Sequence, residues 1–135
     1  MRNLLLDASA LIAFIRREPG GETVLQALMD GKNAVLVGSV QLVEVEGKLV
    51  SDGSFTPQQV RARIRQLGQV LDVVAFNAQA QDAAGFYYAR RKPYDLSLGD
   101  ALCLGLAEVL KADVMTAKRG WASLPDIPFG VQLIR

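Results

Sequence analysis

Residues 3–14 read NLLLDASALIAF, and this stretch decides the fold. Residues 3–6 form a short apolar run typical of a buried strand, and residues 8–17 have helical spacing up to the Pro19-Gly20-Gly21 stop. The one acid between them, Asp7, is at the position of a helix N-cap. We therefore predict that the chain opens with a strand and a helix joined at Asp7.

The same alternation of short apolar runs and helical patterns continues to the end of the chain. We predict strands at 3–6, 34–37, 72–76, 113–116 and 131–134. We predict helices at 8–17, 22–30, 40–50, 57–67, 77–91 and 97–110, a loop at 93–95 and a short helix around Trp121. This order is typical of an α/β fold: a three-layer α/β/α sandwich with a mostly parallel central sheet. A chain of 135 residues fits one domain, residues 1–135.

The composition excludes several kinds of active site. The chain has no histidine, which removes Ser-His-Asp and Cys-His systems, histidine-pair RNA cleavage and histidine-ligated zinc. For hydrolysis near neutral pH, carboxylates that hold a hard divalent metal are the simplest remaining route. The net charge is only +1, so nucleic-acid binding would depend on local basic patches.

The sequence also predicts where the protein works. No apolar run reaches the roughly 20 residues that a membrane helix needs. The first apolar run is broken at Asp7 and has no small-residue cleavage site, so we predict no signal peptide. The only cysteine, Cys103, cannot form an internal disulfide. We expect a cytoplasmic protein with no membrane partner.

Three acids lie at strand ends or near helix starts, the side on which parallel sheets bind ligands. Asp7 is either a helix cap or a functional acid, and Ser9 is either a local backbone partner or an active-site hydroxyl. Glu44, in VGSVQLVEVEGKL (37–49), borders a face predicted to be apolar and formed by Val40, Val43, Gly47 and Val50, whereas Glu46 points to solvent. Asp100, in DLSLGDALCLGLA (95–107), can form a capping box with Ser97 but also opens an almost wholly apolar helix.

Four blocks of the sequence together resemble PIN-domain ribonucleases of the VapC toxin type. In chain order they are LLLDASALIAF (4–14), VGSVQLVEVEGKL (37–49), LSLGDALCLGLA (96–107) and VMTAKRGWASL (114–124). The resemblance implies a PIN-like fold and a metal-dependent endoribonuclease with one or two Mg²⁺ or Mn²⁺ ions. Asp7, Glu44 and Asp100 match the first three acids of the family, both as catalytic residues and as metal ligands.

The resemblance further implies an RNA substrate, a homodimer and a cognate antitoxin that inhibits the toxin. Ser9, Thr116, Lys118 and Arg119 are the candidate substrate-binding residues, with Lys118 and Arg119 the better candidates for binding phosphate. A bound metal ion would polarise the phosphoryl oxygen and lower the pKa of an attacking water.

The chain departs from the family at Lys118. The family's closing motif commonly reads T-A-D-R, whereas residues 116–119 read TAKR. Unit charges about 4 Å apart interact by about 4 kcal/mol at an effective dielectric of ~20, so a cation in place of the fourth acid favours one metal ion over two.

Three interpretations of Lys118 are open. The side chain turns outward to bind phosphate, or its ammonium replaces the second cation and pairs with Asp7 or Asp100. In the third, the site is weak or inactive and the domain binds RNA or a protein partner. A less favoured alternative is an aspartyl-phosphate phosphotransferase with Asp7 as nucleophile, although Ser9 stands where that class has its second acid.

Overall fold

The computed structural model describes residues 1–135, and strands and helices alternate along them as predicted. The five strands are β1 (Arg2–Leu6), β2 (Asn33–Gly38), β3 (Asp72–Val74), β4 (Asp113–Thr116) and β5 (Val131–Leu133). The six α-helices are α1 (Ala8–Arg16), α2 (Gly21–Met29), α3 (Ser39–Ser51), α4 (Pro57–Gln66), α5 (Ala78–Ala89) and α6 (Leu98–Leu110). Short 3₁₀ turns cover Lys92–Tyr94 and Arg119–Ser123.

The strands form one sheet in the order β3-β2-β1-β4-β5, and every neighbouring pair is parallel. β1 lies at the centre, with Leu6 paired to Val37 of β2 on one side and to Met115 of β4 on the other. The strand order reverses between β1 and β4, which is where open α/β sheets form a crevice at their carboxyl ends.

Successive residues of β1 face two different hydrophobic cores, one on each side of the sheet. Leu4 and Leu6 face a core of 19 buried residues formed with α1 to α4. Leu5 faces a core of 12 buried residues formed mainly with α5 and α6. Successive side chains of a strand point to opposite faces of the sheet, so helices cover both faces. The predicted three-layer α/β/α sandwich is confirmed.

Local signals placed the helix starts correctly. Asp7, Thr56, Asn77 and Ser97 each accept a hydrogen bond from the backbone N–H three residues later. The helix ends differ by one or two residues from the prediction: α1 stops at Arg16 because Arg17 adopts a left-handed backbone with φ 56°. The predicted loop at 93–95 is instead largely a 3₁₀ turn.

The face of α3 that packs against the sheet was predicted wrongly. Val43, assigned to the apolar face, is 73% exposed. Gln41, Val45 and Leu49 are the buried positions of this helix. These three are four residues apart and so lie on one face. Because Val45 and Leu49 dock on the larger core, Gln41 is buried with them, one turn earlier.

Asp113 lies at the start of β4, at the opposite end of the strand from the carboxyl edge of the sheet. There it accepts hydrogen bonds from Arg2 (3.0 Å) and the Gly130 backbone N–H (2.7 Å). Asp113 is therefore not placed to substitute for the acid that Lys118 replaces.

None of the helices combines the length and apolarity required to span a bilayer.

Candidate active site at the carboxyl ends of β1 and β4

The three acids singled out in the sequence line one small cavity. Asp7 follows β1, Glu44 lies on α3, and Asp100 lies in the first turn of α6. The cavity also has Ser9 and Lys118 in its wall. Its free space has room for about one water molecule. The structure therefore brings together side chains that are far apart in the chain.

Asp7 serves both as a helix cap and as a wall of the cavity. Its Oδ1 accepts hydrogen bonds from the Ser9 hydroxyl (2.7 Å) and the Ala10 N–H (2.9 Å). Its Oδ2 accepts one from the Thr116 hydroxyl (2.6 Å). Burial raises the pKa of this carboxyl, although these hydrogen bonds and the charge of Lys118 oppose the shift. A carboxylate has about four lone-pair sites, so about one remains free on Asp7.

The hydroxyls of Ser9 and Thr116 are occupied by this network. Thr116 is fully buried, and its Oγ1 also accepts the Lys118 backbone N–H (3.0 Å). Ser9 Oγ accepts the Ala117 N–H (3.0 Å). Both residues therefore hold the end of β4 against Asp7. Their contact with substrate stays a prediction, as does that of Arg119, which is exposed.

Glu44 is the acid with a free carboxylate. It is partly buried and has no hydrogen-bond partner. Burial raises its pKa most, the charges of Asp100 and Asp7 add to the shift, and Lys48 and Lys118 oppose it. Glu46, two residues on, instead pairs with Arg61 at 2.9 Å outside the cavity. This arrangement agrees with the prediction that only one of the two acids faces the site.

Asp100 is held at both oxygens. Its Oδ2 accepts the Ser97 backbone N–H (3.0 Å) and its own N–H donates to the Ser97 hydroxyl (3.1 Å), which completes the predicted capping box. Its Oδ1 pairs with the ammonium of Lys118. Asp100 is buried, with 6% of its surface exposed. The capping role and the place in the cavity wall are therefore compatible.

Lys118 turns into the cavity. Besides the ion pair with Asp100, its Nζ lies 5.9 Å from the centre of the Trp121 ring. Burial lowers the pKa of this lysine, but the hydrogen bond and charge of Asp100, with the charges of Asp7 and Glu44, outweigh burial, so that the net shift is upward. The outward orientation considered above does not occur in the structure. Of the three interpretations, the observed geometry is the pairing with Asp100.

The donor chemistry of the cavity suits a hard divalent cation, but its geometry does not. Carboxylate oxygens are the ligands that Mg²⁺ and Mn²⁺ prefer. However, no three His, Cys, Asp or Glu side chains are grouped so as to hold a metal ion. The ammonium of Lys118 holds the free oxygen of Asp100. In this arrangement the residues do not fit the metal centre that the family resemblance implies.

Sequence reasoning missed two residues of the site. Gln41 is fully buried in the cavity wall, and its Nε2 donates to the Gly99 carbonyl (3.4 Å) while its Oε1 has no partner. A Cβ at Gly99 would overlap the Glu44 carboxylate. The spacing of three residues between Gln41 and Glu44, which places them on one helix face, was a signal that could have identified Gln41.

A much larger cavity lies elsewhere and contains none of the predicted site residues. It has a volume of about 450 Å³ and is lined mainly by apolar side chains of α5, of the first 3₁₀ turn and of the segment after the second 3₁₀ turn, including Phe86, Tyr94 and Leu124. The larger cavity and the cavity with the charged side chains therefore lie in different parts of the fold. We favour the small acidic cavity as the active site because it holds charged groups with shifted pKa values.

Comparisons with known proteins agree with the architecture. The sequence matches the family model described as PIN domain over residues 4–126. DNA-bound VapBC from Salmonella typhimurium superposes with a TM-score of 0.73 at 16% identity over 100% of both chains. VapBC2 from Rickettsia felis, bound to a DNA fragment from their promoter, has a TM-score of 0.73 at 15% identity over 96% of this chain and 97% of that one.

A third similar structure is that of a single toxin. Mycobacterium tuberculosis VapC20, described as a Sarcin-Ricin loop cleaving toxin, has a TM-score of 0.66 at 17% identity over 82% of this chain and 86% of that one. At such identities the likeness shows the fold. No curated protein sequence matches the chain significantly.

Proposed function

Because the chain belongs to the PIN-domain family, we propose that it is an endoribonuclease toxin of the VapC type. The observation that carries this proposal is the convergence of Asp7, Glu44 and Asp100 on one cavity at the carboxyl end of β1. Helix capping does not require the three acids to lie together, and Glu44 caps no helix. The proposed reaction is hydrolysis of RNA phosphodiester bonds.

The proposed partners are inferred by analogy with proteins of the same fold. Structures of the same fold come from VapBC complexes of Salmonella typhimurium and Rickettsia felis, which supports a cognate antitoxin as inhibitor. VapC20 is described as cleaving the Sarcin-Ricin loop, which supports RNA as substrate. A homodimer and a cytoplasmic location belong to the same proposal.

The residues of the cavity have distinct chemical capacities. Glu44 is partly exposed, its carboxylate is free, and its pKa is raised by burial. Such a carboxylate is suited to accept a proton from an attacking water near neutral pH. Lys118 has three N–H donors, and those not used by Asp100 can bind an oxygen of the scissile phosphate. Mg²⁺ or Mn²⁺ would polarise that phosphate when bound, but with Lys118 paired to Asp100 we assign no step to a metal ion.

The ion pair of Lys118 and Asp100 also favours a second candidate function. A cavity whose third acid is already paired with a cation has less charge available for catalysis. The alternative is a catalytically weakened PIN domain that binds RNA or a protein partner. The phosphotransferase alternative gains no support, because the buried Asp7 carboxylate is already hydrogen-bonded at both oxygens.

RNA cleavage by the purified, antitoxin-free protein tests the proposal. Total RNA is incubated with and without Mg²⁺ or Mn²⁺ and the new ends are mapped. We expect cleavage that falls about 100-fold or more in Glu44→Gln and in Asp100→Asn. Glu46→Gln is the matched control on the same helix and should cut like the wild type.

Circular dichroism confirms that each variant is folded. Cleavage that persists in both Glu44→Gln and Asp100→Asn would contradict the assignment of the site. RNA binding without cleavage by the wild type, under every metal condition, would favour the binding module instead.

A further inference from the structure

The buried amide of Gln41 connects the two helices that carry Glu44 and Asp100. We infer that Gln41 is a positioning residue, whose side chain sets the distance between the Glu44 and Asp100 carboxylates by holding the start of α3 to the start of α6. The kinetic part of the inference rests on the proposed function. Its structural part is tested without RNA.

The position of Gln41 follows from the way α3 packs on the rest of the fold. Gln41 is fully buried, and Glu44 lies three residues further along the same helix. The Nε2 of Gln41 donates a hydrogen bond of 3.4 Å to the carbonyl of Gly99. Gly99 is the residue before Asp100, in the first turn of α6. One side chain therefore reaches from the helix of the second acid to the turn that carries the third.

Two glycines leave the space in which this contact forms. A Cβ at Gly38 would overlap Oε1 of Gln41 and would lie 2.7 Å from the side chain of Leu106. A Cβ at Gly99 would overlap the Glu44 carboxylate. The amide of Gln41 is thus enclosed by the end of β2, the side of α6 and the first turn of α6. Because protein interiors are close-packed, the amide cannot move without moving one of these elements.

Glu44 depends on this packing because it has no hydrogen-bond partner of its own. Asp7 and Asp100 are each oriented by hydrogen bonds to neighbouring groups. The Glu44 carboxylate instead lies against Gly99, so the placement of α3 on α6 determines its position. Gln41 lies one turn earlier on the same helix and bonds to the same glycine. Loss of the amide is therefore expected to displace Glu44 relative to Asp100.

The amide of Gln41 is present at a cost in stability. Its Oε1 lies against Gly38, closed to the cavity, and is the only buried side-chain oxygen or nitrogen in the chain without a hydrogen-bond partner. An unsatisfied buried acceptor destabilises a fold, and a methionine of similar length would remove it. Proteins break such local rules mainly at functional sites. This cost therefore supports a role for Gln41 in the site and not only in the core.

Crystal structures of the wild type and of Gln41→Met test the positioning without RNA. Methionine keeps the length of the side chain and removes the amide. We expect the carboxyl carbons of Glu44 and Asp100 to move by about 1 Å or more relative to each other, a displacement that is large enough to affect catalysis. The Tm should be equal to or above that of the wild type, because the unsatisfied oxygen is gone.

Cleavage kinetics test the consequence for the proposed reaction. The substrate is an RNA oligonucleotide that spans a cleavage site mapped in total RNA. We expect kcat of Gln41→Met to fall by about tenfold or more while KM stays within about twofold, because the buried side chain of Gln41 cannot contact the substrate. A purely structural role would lower the Tm and leave kcat of the folded protein unchanged.

Leu49→Met is the matched control. Leu49 lies on the same buried face of α3, two turns after Gln41, and packs in the larger core. This swap of similar volume should leave kcat and the distance between the carboxylates unchanged.

Gly38→Ala is the second variant, in case Gln41→Met is poorly folded. It keeps Gln41 and displaces its amide, because the new Cβ would overlap Oε1. We expect the same displacement of the carboxylates and a fall in kcat of about tenfold or more.

Three results would overturn the inference. An unchanged distance between Glu44 and Asp100 in Gln41→Met shows that the amide does not hold the acids in place. A normal kcat in folded Gln41→Met shows that the reaction does not depend on this residue. An equal fall of kcat in Leu49→Met shows a general effect of core substitution. Wild-type protein that cuts no RNA contradicts the proposed function alone, and the crystal structures then decide the inference.

Discussion

The hydroxyl of Thr116 donates a 2.6 Å hydrogen bond to Oδ2 of Asp7, and so joins the end of β4 to the end of β1 across 109 positions of the chain. Both residues are buried, with 0% of Thr116 and 3% of Asp7 exposed. A buried carboxylate depends on such donors because it has lost its water. This bond therefore stabilises the charge on which the proposed site depends.

Thr116→Val should destabilise the protein. Valine keeps the shape of threonine but leaves Asp7 Oδ2 without its donor, and an unsatisfied buried acceptor costs about 1–3 kcal/mol. Thr116→Ser, the matched control, retains the hydroxyl and should lose less. Urea unfolding at pH 7 measures both variants, and equal losses would show that the methyl group matters and the hydrogen bond does not.

Asp7→Asn should change how stability depends on pH while it removes the proposed activity. Burial raises the pKa of Asp7 in the folded state above its ordinary value of 3.8. The folded protein thus binds this proton more tightly than the unfolded chain, and stability decreases as pH rises from about 3.8 through the raised pKa. Asparagine does not titrate, so it avoids this loss.

Asparagine also lacks one of the two accepting oxygens of Asp7, a cost that does not vary with pH. Relative to the wild type, the stability of Asp7→Asn should therefore rise by about 1 kcal/mol between pH 4 and pH 7. Thermal unfolding from pH 4 to pH 8, with a chelator present, measures it. A stability difference between the two proteins that is constant over this range would contradict a raised pKa for Asp7.

Gly99→Ala should impair the site more than the fold. A Cβ at position 99 would overlap the Glu44 carboxylate, and that flexible end can move away at little cost in stability. RNA cleavage should fall by about tenfold or more, because displacement of a catalytic group by about 1 Å has such effects. Melting temperature and cleavage rate are measured together.

Gly47→Ala is the control for Gly99→Ala. Gly47 lies on α3 near Glu44, and a Cβ there would meet nothing within 4 Å. Its helix should be stabilised by about 0.5–1 kcal/mol with unchanged cleavage. If both variants cut RNA equally well, the contact between Gly99 and Glu44 is unimportant for the site.

Gly105→Ala should disrupt the packing of α5 on α6. A Cβ at position 105 would lie 2.5 Å from the backbone nitrogen of Ala84, which can move only with its helix. Overpacking of this kind costs about 1–3 kcal/mol. Gly85→Ala, with open space around its Cβ, should instead stabilise by up to about 1 kcal/mol. Urea midpoints of the two variants should move in opposite directions, and a shift of the same sign would be inconsistent with close helix contact at Gly105.

Much of the frame was determined by local sequence. The N-cap at Asp7 and the capping boxes at Thr56 and Ser97 are signals within four residues, so the helix starts could be predicted. The apolar runs between helices predicted a parallel sheet, and parallel strands necessarily place Asp7 and Thr116 at the same edge. The position of the site therefore followed from the order of the elements.

Only the tertiary structure decided which groups touch within that site. The ion pair of Lys118 and Asp100, and the burial of Gln41 where Val43 had been expected, depend on how α3 and α6 sit on the sheet. Helical spacing in a sequence shows which residues share a face of the helix. Which face turns toward the sheet depends on packing against elements far away in the chain. An ammonium at the end of a flexible side chain takes the partner that this packing brings within reach, and in this protein that partner is the third acid.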